Sequence, residues 1–407
     1  MGRQCGANGR RVPAGDLRVS TVTDGVAVVL QASGPNSLGI IRSLAARGIS
    51  VIATDRDPRA LGMLSRHARA HVMRDPVDDP EGFIADLETL GRSLPAPGVL
   101  FPTHDEAIEV IGPHEARLSE WFRMPWSPWA DLQPYIDKAG QHAAAHRIGF
   151  PVPVTLEPAD EADVRAAIPD MRFPVILKPR VDPAGFKREF GRQVLQAADG
   201  DELLRQWDRA ARHLPQISEV IPGGDDCLWT LGSYRDAHGT PLASFTGRKL
   251  LQWPTGFGTA RVAEAWWDPG FAARGHALLD EIGFHGISQV EVKRDPRDGR
   301  DYLIEVNPRS WLWISLATEV GVNLPEAAFL DAVGRSHTWP EGHRSDVRWV
   351  LSAKHLAASA GEVRRGRLGR KAALRTVRPP FVDGVWSVTD PKPGIDQMRR
   401  LITRKVA

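Results

Sequence analysis

Residues 26–32, VAVVLQA, and 49–55, ISVIATD, are two nearly continuous apolar runs one helix-length apart, and that arrangement limits the fold more than any other feature. A strand apolar at every position, rather than at alternate ones, must be covered on both faces, which is the condition of a parallel sheet. Between the runs, SGPNSLG opens a turn, and an amphipathic segment of about ten residues ends at Gly48. The result is a strand–helix–strand unit. A third run, GVLFP at 98–102, leads into THDEAIEVIGPHEARL, where Asp105 and Glu106 suit the first turn of a helix. Residues 25–130 thus predict an open parallel α/β domain.

The texture changes after the Pro/Trp-rich stretch MPWSPWADLQP at 124–134. A helix is predicted at 137–148, and beyond it the strands shorten. IPGGDDCLWTLGSY and ISQVEVKRDPRDGRDYLIEVN read as antiparallel, with Asp298-Gly299 in the connecting turn of the second. Residues 131–334 therefore have α+β character. From 335 to 407 the chain is basic, with RRGRLGRK at 364–371, and reads as a small C-terminal appendage. Residues 1–24 are polar, carry no apolar core of the kind a secretory signal needs, and are expected to be a disordered lead-in.

Composition removes several classes of function. Lys+Arg 52 against Asp+Glu 50 leaves a formal charge of +2, so nothing draws the whole chain to nucleic acid or an anionic membrane. No apolar run approaches the ~20 residues that span a bilayer. Cys5 and Cys227 are the only cysteines, too few for a disulfide framework or a cysteine-rich metal site. A reducing, cytoplasmic setting is expected.

The segment DYLIEVNPR at 301–309 carries the strongest chemical signal. Alternation along a strand puts Glu305 and Asn307 on one face and turns Ile304 and Val306 inward. The partner strand offers Gln289 and Glu291 on one face, Val290 and Val292 on the other. Glu291, Glu305 and Asn307 can converge as hard oxygen donors of the kind that hold Mg²⁺. Two carboxylates also describe a solvated sheet face; Arg309, placed to meet phosphate or carboxylate, favours the site. RFPVILKPR at 172–180 ends an apolar strand in Lys178, and QISEVIPGGDDCLW offers acids at Glu219 and Asp226 around a short apolar linker.

In this order, DK at 137–138, PVILKPR, SEVIPGGDD and SQVEVKRDPRDGRDYLIEVNPR resemble the ATP-grasp superfamily, in particular its carboxylate–amine ligases, over roughly residues 25–335. The resemblance implies a pre-ATP-grasp α/β domain followed by a two-subdomain ATP-grasp core, with a smaller lid at about 140–218. It implies that Lys138 and Lys178 contact ATP phosphates, that Glu219, Val220 and Ile221 line the adenine, and that Asp226 holds the ribose. Glu291, Glu305 and Asn307 would bind Mg²⁺, two ions being the expectation, with Mn²⁺ a substitute. Arg309 would neutralise an acyl phosphate or a carboxylate. The implied activity joins a small-molecule carboxylate to an amine through an acyl phosphate, releasing ADP and phosphate; a homodimer is common among such enzymes.

One segment departs from the family. The loop over the phosphates is usually glycine-rich, whereas VDPAGFKREFGRQ has only Gly185 and Gly191, so Lys187 and Arg188 are expected to supply the cations. TGRKLLQWPTGFGTARVAEAWW at 246–267 resembles a substrate-facing loop: Lys249 would reach phosphate, and Trp253, Phe257 and Thr259 would shape the acceptor pocket. A surface loop packed by aromatics explains the same residues. Trp311 and Trp313 suit a pocket wall or a core. Asn36 and Ser37 sit in a turn that lacks G-x-G-x-x-G spacing, which argues against a dinucleotide oxidoreductase. His104 and Asp105 point to the cleft or cap a helix. The basic run reads as solvated charge or a polyanion site. Bicarbonate activation, as in carboxylases and carbamoyl-phosphate-type enzymes, and a non-catalytic nucleotide-binding role remain the alternatives.

Overall fold

The first apolar runs pair as their composition requires. Val26–Leu30 (β1), Ser50–Asp55 (β2), Arg69–Val72 (β3), Gly98–Pro102 (β4) and Phe122–Arg123 (β5) form an all-parallel sheet of order β3-β2-β1-β4-β5. Alternate residues of β1 serve different cores. Ala27 and Val29 pack with Ile40, Ile41 and Leu44 of the helix Pro35–Ala45, while Val28 and Leu30 pack with Phe83, Ile84 and Leu87 of the helix Pro80–Arg92. Each Val, Leu, Ile or Phe among them, fully removed from water, stabilises the fold by about 1.5–3 kcal/mol. This computed structural model describes residues 25–254, 258–366 and 379–403. The lead-in 1–24, Phe257 and residues 367–371 of the basic run lie outside the described residues.

A second sheet is small and antiparallel. Thr155–Leu156 (β6), Val175–Lys178 (β7), Leu195–Ala197 (β8) and Gln216–Glu219 (β9) lie in the order β6-β9-β7-β8. It has a core of its own, in which Leu177 and Ile217 meet Val164, Phe186, Leu203 and Trp207 from helices. The segment between β7 and β8 differs from expectation. In place of a phosphate loop it forms the helix Pro183–Phe190, started by the Asp182 carboxylate accepting from the Gly185 N–H and closed by Gly191 at φ 67°. Phe186, fully buried, anchors it.

The third sheet has seven strands in the order β14-β13-β10-β11-β12-β15-β16, namely Leu228–Arg235 (β10), Pro241–Trp253 (β11), Thr259–Ala265 (β12), Gly286–Arg294 (β13), Asp301–Asn307 (β14), Arg348–Val350 (β15) and Phe381–Asp383 (β16). The last two come from the stretch expected to be an appendage. They extend the sheet beyond β12, because β12 would otherwise present an open row of backbone groups. The same stretch docks on the first domain: fully buried Asp390 accepts from the Arg42 side chain at 3.0 Å, the Ser65 hydroxyl at 2.8 Å and the Arg66 N–H at 3.0 Å. No helix among the described residues is long and apolar enough to cross a membrane.

Candidate active site

β14 is an edge strand, and the helix Lys138–Arg147 covers its edge. The Gln141 side-chain amide takes the place of a neighbouring strand, donating to the Val306 carbonyl and accepting from the Val306 N–H, both at 2.8 Å. One turn earlier, Lys138 Nζ donates to the Ile304 carbonyl at 2.9 Å and lies 3.3 Å from Glu305 Oε2. Register then sets the donors. Glu291 stands opposite Glu305 and Gln289 opposite Asn307, but Val292 pairs with Leu303, so Ile304 is an extra residue in a bulge. That corrects the simple alternation. Leu303 and Val306 enter the core, and Ile304 joins Glu305 and Asn307 on the wall of a cavity of about 430 Å³.

This cavity lies between the small sheet and the seven-stranded sheet. Lys178, Glu219, Val220 and Ile221 reach it from the first, Lys249, Glu291, Glu305, Asn307 and Arg309 from the second, and Lys138 from the covering helix. Each acid has a dedicated cation. Lys249, mostly buried, pairs with Glu291 at 2.7 Å, and Lys138 pairs with Glu305. Burial alone would raise the Glu305 carboxyl, but the Lys138 charge, the Asn307 amide and Lys249 hold it down to about 2, so it is ionised at any working pH. Lys178 is pushed below its usual range by burial and by the Lys138 charge, against which the Glu305 carboxylate acts. Asn307 Nδ2 bridges Glu305 at 3.1 Å and Gln289 at 3.2 Å.

Arg309 is fixed from the first domain. Both prongs of its guanidinium engage Asp105, Nε to Oδ1 and Nη2 to Oδ2, each at 2.9 Å. The sequence named both residues but not their pairing across 204 positions. His104 meets the Thr103 hydroxyl at 2.8 Å and makes no side-chain cap to the helix. Asn36 and Ser37 are structural: buried Asn36 donates to the Thr103 carbonyl at 2.9 Å, and Ser37 to the Gly34 carbonyl at 2.6 Å.

Three of the residues expected to contact nucleotide or phosphate stand apart from the cavity. Asp226 is exposed and does not line it. Its neighbour Asp225 turns inward instead and accepts from the Gln252 N–H at 2.7 Å and side-chain amide at 3.0 Å, a structural tie that fixes which way the pair points. Lys187 and Arg188 are exposed on the helix Pro183–Phe190, since Phe186 turns the opposite face into the core of the small sheet. Gln193 and Val194, from the segment after that helix, line the cavity in their stead. Lys293 lines it too; the alternation Gln289, Glu291, Lys293 on β13 held the signal. Thr259 lies on its wall, whereas Trp253, backbone-paired with Thr259, faces a second cavity. Trp311 and Trp313 are nearly fully buried and still form part of the cavity wall, so pocket and core share them.

The donor set fits magnesium in chemistry: two carboxylates and an amide, all offering hard oxygens, facing lysines suited to phosphate. Among the described residues no three His, Cys, Asp or Glu side chains gather into a metal site, so Asn307 and non-protein oxygens would complete the shell.

Comparisons agree with this geometry. No family model matches the chain. The D-aspartate ligase of Enterococcus faecium is 26% identical over 249 residues, 58% of each chain, so the protein spans somewhat over half the length of that relative. A formate-dependent phosphoribosylglycinamide formyltransferase of Geobacter metallireducens is 26% identical over 294 residues, 69% of each chain. Among solved structures, a biotin carboxylase from Campylobacter jejuni has a TM-score of 0.61 at 16% identity, over 79% of this chain and 74% of that one. The L-amino acid ligase from Bacillus licheniformis has a TM-score of 0.55 at 16% identity, over 76% and 74%. The fold is that of the biotin carboxylase and the L-amino acid ligase, and the sequence is similar to D-aspartate ligase and to the formyltransferase, relatives of the ATP-grasp carboxylate–amine ligase group.

Proposed function

We propose that the protein is an ATP-dependent ligase that joins a small carboxylic acid to an amine, with an amino acid on at least one side of the bond. The observation that carries this reading is the pairing of Glu291 with Lys249 and of Glu305 with Lys138 on the cavity wall, with Arg309 beside them. The names of the D-aspartate ligase and L-amino acid ligase relatives support the amino-acid class.

Lys138 and Lys178 hold the phosphates of ATP, and the 219–221 linker holds the base. The N–H groups of Glu219 and Val220 already donate to the Val154 and Pro174 carbonyls, at 2.9 and 3.1 Å. Base contact therefore falls further along, at Ile221. Glu219, the acid of this linker that lines the cavity, takes the ribose role first assigned to Asp226. Glu291, Glu305 and Asn307 would hold magnesium, which supplies neutralisation of phosphate charge when bound. Their lysines balance the two carboxylates before nucleotide arrives. The substrate carboxylate oxygen forms a bond to the γ-phosphorus as the bond to the ADP oxygen breaks. The amine then attacks the acyl carbon, phosphate leaves, and the nitrogen loses a proton. Arg309, oriented by Asp105, faces the negative charge of the acyl phosphate.

The test is phosphate release from Mg-ATP with amino acids supplied pairwise, and product mass read in parallel. Release that requires a particular pair, with a product lighter than the pair by one water, supports ligation. Release that needs bicarbonate instead, or ATP binding without release under any pair, overturns it.

A further inference from the structure

A second cavity, of about 550 Å³, lies beside the first, between the β11–β12 hairpin, the turn after β1 and the C-terminal helices Ser352–Arg364 and Lys392–Thr403. Its walls are unlike those of the nucleotide cleft. Trp253, Leu61, Leu351, Ala358 and Leu401 make much of it apolar. At one side Arg59 and Arg400 share Asp396, at 3.1 and 2.6 Å, and Arg400 also approaches Asp57 at 3.8 Å, so two cations face two acids. Lys354 is different. It is half-buried, it donates a hydrogen bond to the Thr259 hydroxyl at 2.5 Å, and no carboxylate among the described residues pairs with it. Burial, and then the nearby Arg261 charge, push its ammonium below the usual range. An uncompensated cation in an apolar recess is destabilising unless an anion joins it. Thr259 also lines the nucleotide cleft, so the hydroxyl bound to Lys354 stands in the wall between the two cavities.

We propose that this recess is the site for the non-nucleotide part of a substrate with an apolar body and a single anionic group, the anion on Lys354 and the body against Trp253. The volume exceeds that of one small amino acid and falls in the range of ordinary ligand sites, roughly 300–1,000 Å³. The proposal rests on the ligase reading for what the substrate does, but not for where it binds.

The test is direct titration of the whole protein with 8-anilinonaphthalene-1-sulfonate, an apolar body with one anionic group that fluoresces on desolvation. The expected result is saturable 1:1 binding that Mg-ATP does not displace. Lys354→Gln should weaken it about tenfold, the loss of one charge-assisted contact, and Lys354→Arg should restore it. Ala357→Trp, at an exposed position on the cavity-facing helix, should abolish it by filling the recess. Competition by 3-phenylpropionate or by phenyl phosphate distinguishes a carboxylate-bearing from a phosphate-bearing ligand. Binding that ignores both Lys354→Gln and Ala357→Trp, or that Mg-ATP displaces, overturns the proposal. Dependence on those variants without ligation of any amino-acid pair keeps the recess and removes the ligase reading. Ligation alongside a probe indifferent to both variants does the reverse.

Discussion

At the scale of single residues, two acids of the cleft each stand against a lysine, Glu291 on Lys249 and Glu305 on Lys138. Glu305 shows how much of this the protein does before any ligand binds: a carboxylate near Lys138, Lys249 and Asn307 stays ionised down to about pH 2. Glu305→Gln keeps the shape but removes the charge. Phosphate release should fall to background while the Tm stays within a few degrees, because the side chain is partly open to solvent and outside the core. Near-normal release at ordinary magnesium would remove Glu305 from the metal role. Arg309→Lys tests geometry rather than charge, since an ammonium cannot reproduce the two-pronged grip on Asp105. A fall in kcat/KM of at least about tenfold, or 1.4 kcal/mol in the barrier, is expected. Full activity would mean that charge alone suffices there.

At the scale of elements, the seven-stranded sheet sets the floor of the cleft, and its tolerances are narrow. A Cβ on Gly232 of β10 would lie 2.0 Å from the indole of Trp311, whose ring stacks on Phe245 at 6.1 Å. Gly232→Ala must displace that ring. It should cost about 1–3 kcal/mol of stability, as overpacking of cores does, and raise KM for ATP or the acid by shifting the wall. An unchanged melting curve would show that the floor yields freely. The helix Pro269–Ile282 against this sheet supplies a pH response. His276 lies between Arg235 at 3.2 Å and the Ser244 hydroxyl at 2.8 Å, and burial, then the Arg235 charge, lower it to about 4. Its folded value lies below the ordinary 6.5, so the unfolded chain takes up the proton first. The stabilising contribution is therefore complete above about pH 6.5 and is lost as pH falls toward 4. Melting temperatures from pH 7 to 4 should decline less steeply in His276→Gln than in the wild type. Parallel curves would refute the assignment.

At the scale of the molecule, the C-terminal stretch ties the parts together. It extends the large sheet, closes one side of the second cavity and docks on the first domain through Asp390. Against burial, which would raise it, the Arg66 N–H, the Ser65 hydroxyl and the Arg42 charge keep the Asp390 carboxyl below its usual range. Asp390→Ala strands all three partners together. A loss of about 3–5 kcal/mol is expected for breaking a buried pair, visible as a shifted urea midpoint; a change below the error of the titration would mean that the docking is carried by apolar contacts.

How much of this was legible beforehand follows from the range of each interaction. Runs such as VAVVLQ and the alternation in SQVEVKR report burial on two faces or one, a local property, so the parallel sheet and the faces of β13 could be read directly. Lys138, Lys178, Glu219, Glu291, Glu305, Asn307 and Arg309 were named from local patterns and their order, and one cavity contains them all. Three things were not local. Ile304 changes face because a bulge depends on the partner strand as well as its own. Lys187 and Arg188 leave the cleft because Phe186 finds a core made by residues up to Ile217, which selects a helix over a loop. Asp105 meets Arg309 only after separate sheets have packed, and Lys354 meets Thr259 only after β15 has joined β12 and set the helix that follows it. The sequence by itself determined which strands form and which side chains carry charge. The tertiary structure alone decided which charges face one another, because that depends on the register and docking of elements far apart in the chain.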